Sequence, residues 1–254
     1  MMKLLGLIGN PVSHSQSPRI FREFFQEENR NDFTYGLFPL NNISELPEWI
    51  MKHPNLVGFN VTIPFKKQII PYLNQLHPDA QKTGAVNTVK VLRETNSVRL
   101  IGFNTDIFGF QKSLLETFPI LPSHALILGT GGASEAVATS LKNIGIVFQK
   151  VSRNEEGYLK YSDLHKNLLE SHKLIIQTTP LGMHPNESEI PDIPYEFIGP
   201  DHCCMDLIYS PAETVFLKTC KAQGALITNG LKMLQYQAEA AWEIFKDEST
   251  FPVE

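Results

Sequence analysis

Cysteine is scarce. The three in 254 residues, Cys203, Cys204 and Cys220, are too few for a disulfide framework. They have no metal-ligand spacing either, and read as reduced interior thiols of a cytoplasmic protein. The eight histidines include no H-E-x-x-H pair, so no metal is expected. Positive charge is not in excess: 22 Lys and Arg against 27 Asp and Glu leave a net charge of -5. That balance offers no field to attract nucleic acid, and any anionic ligand must be held by local groups. No apolar run approaches the roughly 18 residues of a membrane span. The stretch Leu4 to Ile8 is also too short for a secretory signal and stops at Gly9-Asn10-Pro11. Neither nucleic acid nor membrane is expected as a partner. Internal repeats, low-complexity tracts and charge blocks are missing too, so a domain boundary must lie inside compact structure.

What remains has the make-up of a soluble globular protein, 42% hydrophobic and 19% charged. The first hundred residues alternate strand-like and helix-like segments: strand Lys3 to Ile8, a helix opening at Ser17-Pro18, strand Asp32 to Phe38, a helix near Ser44 to Met51, and strand Leu56 to Val61. Ser17 is placed to cap its helix with Pro18 at the first position, and Ile20, Phe21, Phe24 and Phe25 recur on one face. Val86 to Leu92 and Val98 to Ile101, joined by polar Arg93 to Ser97, read as a two-strand excursion. From His124 the alternation restarts: strand Ala125 to Leu128, a glycine turn, helix Ala133 to Asn143, strand Ile146 to Val151. Further strands are expected at Leu174 to Ile176, Cys203 to Leu207 and Ala225 to Ile227. A last helix runs from Leu231 to about Phe245. It carries one apolar stripe through Leu231, Leu234, Ala238, Ala241, Trp242 and Phe245, and a second through Met233, Ala240 and Ile244, which predicts burial on two sides.

Gly129-Thr130-Gly131-Gly132-Ala133-Ser134 follows an apolar strand and opens a helix, the context in which a dinucleotide fingerprint works. Glycines let the backbone approach a pyrophosphate, and the freed N–H groups and helix dipole stabilise the anion. Ser134 stands where the third glycine of G-x-G-x-x-G is usual, so a purely structural turn remains open. In an NAD site an acidic residue ends the second strand, whereas here the strand runs into Ser152-Arg153-Asn154, and a cation suits a ribose 2′-phosphate. Arg153 as a solvated loop residue paired with Glu155 or Glu156 is the alternative.

The first half holds a polar constellation. Gly9 to Pro18 places Ser15 and Ser17 at the C-terminal end of the first strand, where open α/β sheets bind ligands, and both hydroxyls suit a carboxylate. Capping and turn formation explain Ser17 equally well. Asn60, Thr62 and Lys66 end another strand, and Gly84 to Thr88 and Gly102 to Asp106 add amides and a carboxylate.

Taken together, the segments GNPVSHSQSP, NVTIPFK, GAVNTV, GFNTDIFG, GTGGAS, QTTPLGM, DLIYSP and NGLKMLQYQ resemble the shikimate dehydrogenase family, in that family's order, from residue 9 to 237. The resemblance implies an α/β fold in two domains. One is an N-terminal α/β substrate domain of residues 1–105 and 230–254; the other is a Rossmann-like, doubly wound dinucleotide-binding domain of residues 106–229, with the active site in the cleft. It implies reversible, NADPH-dependent reduction of 3-dehydroshikimate to shikimate in the cytoplasm, by a monomer or homodimer. By matching positions, Ser15, Ser17 and Tyr209 surround the substrate carboxylate. Thr62, Asn87 and Gln237 face the ring hydroxyls, Asn60 and Gly230 line the site, and Lys66 and Asp106 are the catalytic pair. Gln237 also interrupts the second apolar stripe between Met233 and Ala240, so it needs a polar partner there. NADP(H) is assigned Gly129, Thr130, Gly131, Gly132, Ala133, Ser152, Arg153, Asn154, Thr178, Thr179, Leu207, Gly230 and Met233.

The chain departs from the family in three places. Phe21-Arg22 stands where His-Asn is common, Ser152-Arg153-Asn154 replaces Asn-Arg-Thr, and Gln177 replaces an Asn. The alternatives are a relative that prefers quinate or NAD, and a silent member of the fold that binds without turnover.

Overall fold

Seven residues, Lys3–Gly9, form the first strand, and its last five residues are all buried. Such an unbroken apolar run is what a central parallel strand covered on both faces requires. In chain order the elements of the computed structural model are β1 (Lys3–Gly9), α1 (Ser17–Glu27), β2 (Phe33–Pro39), α2 (Leu46–Lys52), β3 (Leu56–Val61), α3 (Phe65–Gln68), β4 (Gln75–Leu76), α4 (Pro78–Thr83), β5 (Thr88–Arg93) and β6 (Val98–Phe103). Then follow α5 (Asp106–Thr117), β7 (His124–Leu128), α6 (Gly132–Asn143), β8 (Val147–Val151), α7 (Lys166–Ser171), β9 (Leu174–Gln177), β10 (Cys203–Asp206), α8 (Val215–Ala222), β11 (Leu226–Thr228) and α9 (Leu231–Lys246). The structure describes residues 2–95 and 97–247. It divides into two units, Met1–Thr105 with Gln237–Glu254, and Asp106–Tyr236.

The first unit holds a six-stranded sheet of order β2-β1-β3-β5-β6-β4. β1 runs parallel to β2 and β3, whereas β5 runs antiparallel to both β3 and β6, which is the two-strand excursion inserted into the sheet. The chain leaves β1 for β2 and returns on the far side to β3. Right-handed crossovers then put α1 and α2 on opposite faces and open a switch point between the C-terminal ends of β1 and β3. One face packs Leu46, Trp49 and Ile50 of α2 with Ile8, Phe59 and Val61. The other is aromatic: Phe25 and Phe33 lie 5.3 and 5.0 Å from Trp242 of α9, and Phe21 lies 6.0 Å from Phe245. Buried Lys90 of β5 ties α9 down further, donating to the carbonyls of Ile244 and Phe245 at 2.8 and 2.9 Å. A cation there complements the negative end of the helix dipole.

The second unit is a five-stranded, wholly parallel sheet of order β11-β10-β9-β7-β8. α6 joins β7 to β8, and the chain then crosses to β9 on the other side of β7, so the order reverses between β7 and β9. This is the doubly wound arrangement. Alternate residues face alternate sides. Ala125, Ile127, Leu174, Ile176 and Met205 meet Phe110 and Leu114 of α5 and Val137 and Leu141 of α6; Leu126, Leu128, Ile175 and Cys204 meet Leu169, Phe216 and Cys220.

Four details differ from expectation. Ser17 does not cap α1: Gln16 holds the cap position without a side-chain bond, and Ser17 lies inside the first turn. Its own N–H is instead satisfied by Ser15 Oγ at 3.2 Å. The helix expected near Ser44 to Met51 begins as a 3₁₀ turn, Ile43–Glu45, closed by a capping box between Asn42 and Glu45, and continues as α2 with a proline in its first turn. Leu231, expected within an apolar stripe, is exposed at the start of α9. Residues 230–236 group with the second unit, because the division falls inside α9.

Candidate active site

Two backbone bonds pin the loops at the first sheet's switch point. Thr62 N–H donates to Ile8 O at 2.9 Å, and Asn10 N–H donates to Ile63 O at 3.0 Å. The loop after β1 carries Ser15 and α1 opens with Ser17, and the two hydroxyls are hydrogen-bonded to each other at 3.1 Å. Lys66 is half-buried in α3, between buried Phe65 and exposed Lys67, and its carbonyl accepts from Val86 N–H at 2.8 Å. That bond fixes the Gly84–Thr88 segment beside the lysine turn.

Polar side chains continue inward from the serines. Tyr35 hydrogen-bonds Ser17 and donates to Asn60 Oδ1 at 2.8 Å. Asn60 Nδ2 donates to Thr88 Oγ1 at 3.0 Å and Asn87 Nδ2 to Thr105 Oγ1 at 2.9 Å, while Asn87 Oδ1 accepts from Thr105 N–H at 2.8 Å. Gln237 finds the polar partner it needs, its Oε1 accepting from Asn87 Nδ2 at 3.4 Å and Thr105 Oγ1 at 3.5 Å. Asn60, Asn87, Thr88 and Thr105 are all buried. Buried amides are kept only where they are bonded, so this chain of bonds holds each donor and acceptor in one orientation. The first unit thus brings together Ser15, Ser17, Asn60, Thr62, Lys66, Asn87 and Gln237. Tyr35, Thr88 and Thr105 join the network without having been singled out from the sequence; the position of Thr105 inside GFNTD was the available signal.

The remaining candidates belong to the second unit: Asp106, the glycine turn, residues 152–154, Thr178, Thr179, Leu207, Tyr209, Gly230 and Met233. Asp106 is buried at the first position of α5, where a carboxylate complements the dipole. Gly129 has φ +114°, and a Cβ there would meet Thr178 Oγ1 at 2.7 Å. Only glycine suits that point. Thr178 Oγ1 donates to Leu128 O at 2.7 Å, locking the β7 and β9 ends together at the second switch point. Gln177, the departure from the family's Asn, is fully buried; its Oε1 accepts from the N–H and the hydroxyl of Thr179, both at 3.0 Å. The longer amide therefore shapes the Thr178–Leu181 loop. Met233 packs in the core against α5 and α6 residues.

Gly131 and Gly132 pass a test that the other glycine of this turn, Gly129, does not offer. A Cβ at either would find no atom within 4 Å, and Gly131 has φ -74°, a conformation open to any residue. The fold itself does not demand glycine at either position. A pyrophosphate approaching the N-terminus of α6 does, so the turn fits a dinucleotide. Ser134, at the third-glycine position, is buried and donates to Gly131 O at 2.9 Å. At the end of β8, Ser152 Oγ accepts from Glu155 N–H at 3.1 Å. No ion pair joins Arg153 to Glu155 or Glu156 among the described residues; its charge acts on Tyr161. A cavity of about 420 Å³ lies here, lined by Arg153, Lys160, Tyr161, Ser162, Leu181, Ile190 and Asp192. Among the described residues no cluster of His, Cys, Asp or Glu is arranged to hold a metal ion, and no helix is long and apolar enough to cross a membrane.

Asp206, which sequence reading passed over, ends β10 fully buried and accepts from Thr214 Oγ1 at 2.7 Å and Ile208 N–H at 3.0 Å, fixing the loop that carries Leu207 and Tyr209. Burial pushes its carboxyl up to about 6, against the pull of those two bonds. A folded value above the unfolded one means stability present below about pH 4 and lost as pH rises through about 6. Wild type should therefore lose about 2–3 kcal/mol between pH 4 and 7 relative to Asp206→Asn, measured by urea unfolding. Parallel pH profiles would remove Asp206 as the source.

A mixed sheet with a polar network at its switch point, joined to a doubly wound parallel sheet with a glycine turn at its own, defines an α/β protein with a Rossmann-type dinucleotide-binding unit. Residues 7–89 match the family model described as the shikimate dehydrogenase substrate binding domain. An NADP(+) shikimate dehydrogenase of Methanococcus maripaludis is 40% identical, the alignment covering 96% of this chain and 91% of that one. One of Desulforamulus reducens is 35% identical over 96% and 89%. The crystal structure of the Thermus thermophilus enzyme in complex with NADP(H) and shikimate is 30% identical, with a TM-score of 0.82 over 96% of this chain and 94% of that one. The chain belongs to the shikimate dehydrogenase family.

Proposed function

We propose that this protein catalyses the reversible, NADPH-dependent reduction of 3-dehydroshikimate to shikimate. The observation that carries the reading is the buried network from Ser17 through Asn60 and Asn87 to Gln237, at the switch point of the unit that includes the matched residues 7–89. A polyhydroxylated carboxylate needs such a set of oriented donors and acceptors. Ser15 and Ser17 supply hydroxyls for the carboxylate, Thr62, Asn87 and Gln237 supply partners for the ring hydroxyls, and Asn60, Tyr209 and Gly230 are further substrate contacts of this reading. When bound, NADPH supplies the hydride. Gly129–Ala133 hold its pyrophosphate; Thr178, Thr179, Leu207, Gly230 and Met233 contact the rest, and Ser152–Asn154 the 2′-phosphate.

Reduction of a ketone leaves negative charge growing on its oxygen, and a positioned acid must meet it. Lys66 gives a proton to that oxygen, and in the reverse direction accepts it from the alcohol. Asp106 orients the same hydroxyl and shares its proton. The three buried free cysteines support a cytoplasmic location.

The test follows reduced-nicotinamide absorbance with shikimate and quinate, each with NADP and NAD. Shikimate with NADP should be fastest. Quinate or NAD leading the series, or binding of shikimate without turnover, would overturn the reading. Within it, Arg153→Ala should lower NADP-over-NAD selectivity by about ten- to a hundredfold, because a charge-assisted contact present only with NADP is worth about 1.5–3 kcal/mol. Michaelis constants for both cofactors decide it, and an equal loss for both would refute the assignment.

A further inference from the structure

The loop after β8 does not run straight on. Val151 forms a parallel bridge with Leu159, Ser152 N–H donates to Leu159 O at 2.8 Å, and Leu159 N–H donates to Lys150 O at 3.1 Å. Residues 152–158 thus close into a loop, and Lys160 re-emerges beside the strand end that carries Arg153. Both line the same cavity of about 420 Å³, with Tyr161, Ser162, Leu181 and Ile190. That volume lies within the range of small-molecule sites, roughly 300–1,000 Å³. The guanidinium charge draws down the pKa of the Tyr161 phenol, which burial raises, so Arg153 is close to that wall. Lys150, the other lysine nearby, is committed to Glu135 at 2.8 Å. Asp192 is the single carboxylate among the lining residues, against two cations.

Resting on the NADP reading above, we propose that Lys160 is a second cation of the 2′-phosphate subsite, binding the dianion jointly with Arg153. A phosphate monoester carries nearly two charges at pH 7, and one guanidinium offers only one to balance them. In a chain of net charge -5 the second must come from a residue placed in the pocket itself. The apolar part of the lining, Leu181 and Ile190, suits the attached purine.

Titration calorimetry of wild type, Lys160→Gln, Lys160→Arg and Arg153→Gln with adenosine 2′,5′-bisphosphate and adenosine 5′-monophosphate tests this without turnover. Lys160→Gln should weaken the bisphosphate about five- to tenfold and the monophosphate less than about twofold, and Lys160→Arg should restore most of the loss. Equal weakening of both ligands, no weakening, or no rescue by arginine would overturn the proposal. If Arg153→Gln alone discriminates between the ligands, Lys160 is excluded and the NADP reading stands. Wild type binding both ligands equally would overturn the two together.

Discussion

Lys66→Ala is expected to lower turnover by at least about a hundredfold while shikimate affinity stays within about tenfold, the usual signature of losing a positioned acid–base group. The bond that ties this turn to the neighbouring segment is made by the Lys66 backbone. Buried Phe65 anchors the short helix, and the bond from Val86 N–H at 2.8 Å goes to the Lys66 carbonyl, so the Gly84–Thr88 segment and Asn87 keep their places in the variant. What disappears is the lysine side chain beyond Cβ, with its ammonium. Turnover from nicotinamide absorbance, together with shikimate binding by calorimetry, separates the two effects. A variant that turns over near the wild-type rate would remove Lys66 from the chemistry, and a parallel loss of affinity would make it a binding residue.

Gly230→Ala should destabilise the protein by about 3 kcal/mol or more and weaken nucleotide binding with it. A Cβ at this position would lie 2.0 Å from the carbonyl oxygen of Leu207 and 2.5 Å from its carbon. These are backbone atoms at the end of a buried strand, so they cannot swing aside as a side chain would. The loop must move instead, at the cost of the bond from Gly230 N–H to Ile208 O at 3.1 Å and of the Asn229 side chain's bond to Leu231 N–H at 3.0 Å, which starts α9. Urea unfolding read by fluorescence gives the stability change. A midpoint indistinguishable from wild type would show that the loop has slack that the close packing denies.

Much of the fold was legible before any coordinates. β3 falls on Leu56–Val61 as its apolar pattern predicts, and the strand, glycine turn and helix from His124 to Asn143 follow from a strand period, a special turn and a helix period in succession. The four-residue α3, six-residue α4 and two-residue β4 were not legible, because elements that short span too little of a helix or strand to show a period. The site divides in the same way. Its motifs could be read in order, whereas Asn87, a partner of Gln237, lies 150 residues away and is met only through the packing of α9 on the first sheet. Ser17 shows a further limit: a capping serine and a serine capped by its neighbour look alike in sequence, and Ser15 takes the role. Lys160 escapes a motif search because only the closing bridge at Leu159 returns it to the strand end.

The division inside α9 bears on how the molecule is made. A ribosome delivers residues 1–105 and then the whole of 106–236 before Trp242 and Phe245 emerge, yet these two complete the aromatic face of the first sheet, and the carbonyls that take up Lys90 are among the last described. The second unit is contiguous and can close during synthesis. The first cannot. Its Phe25 and Phe33 wait without Trp242 for as long as the second unit takes to be translated. A nascent chain therefore carries this apolar surface until residues 242–245 have been made, an interval in which exposed apolar surface favours association with other chains.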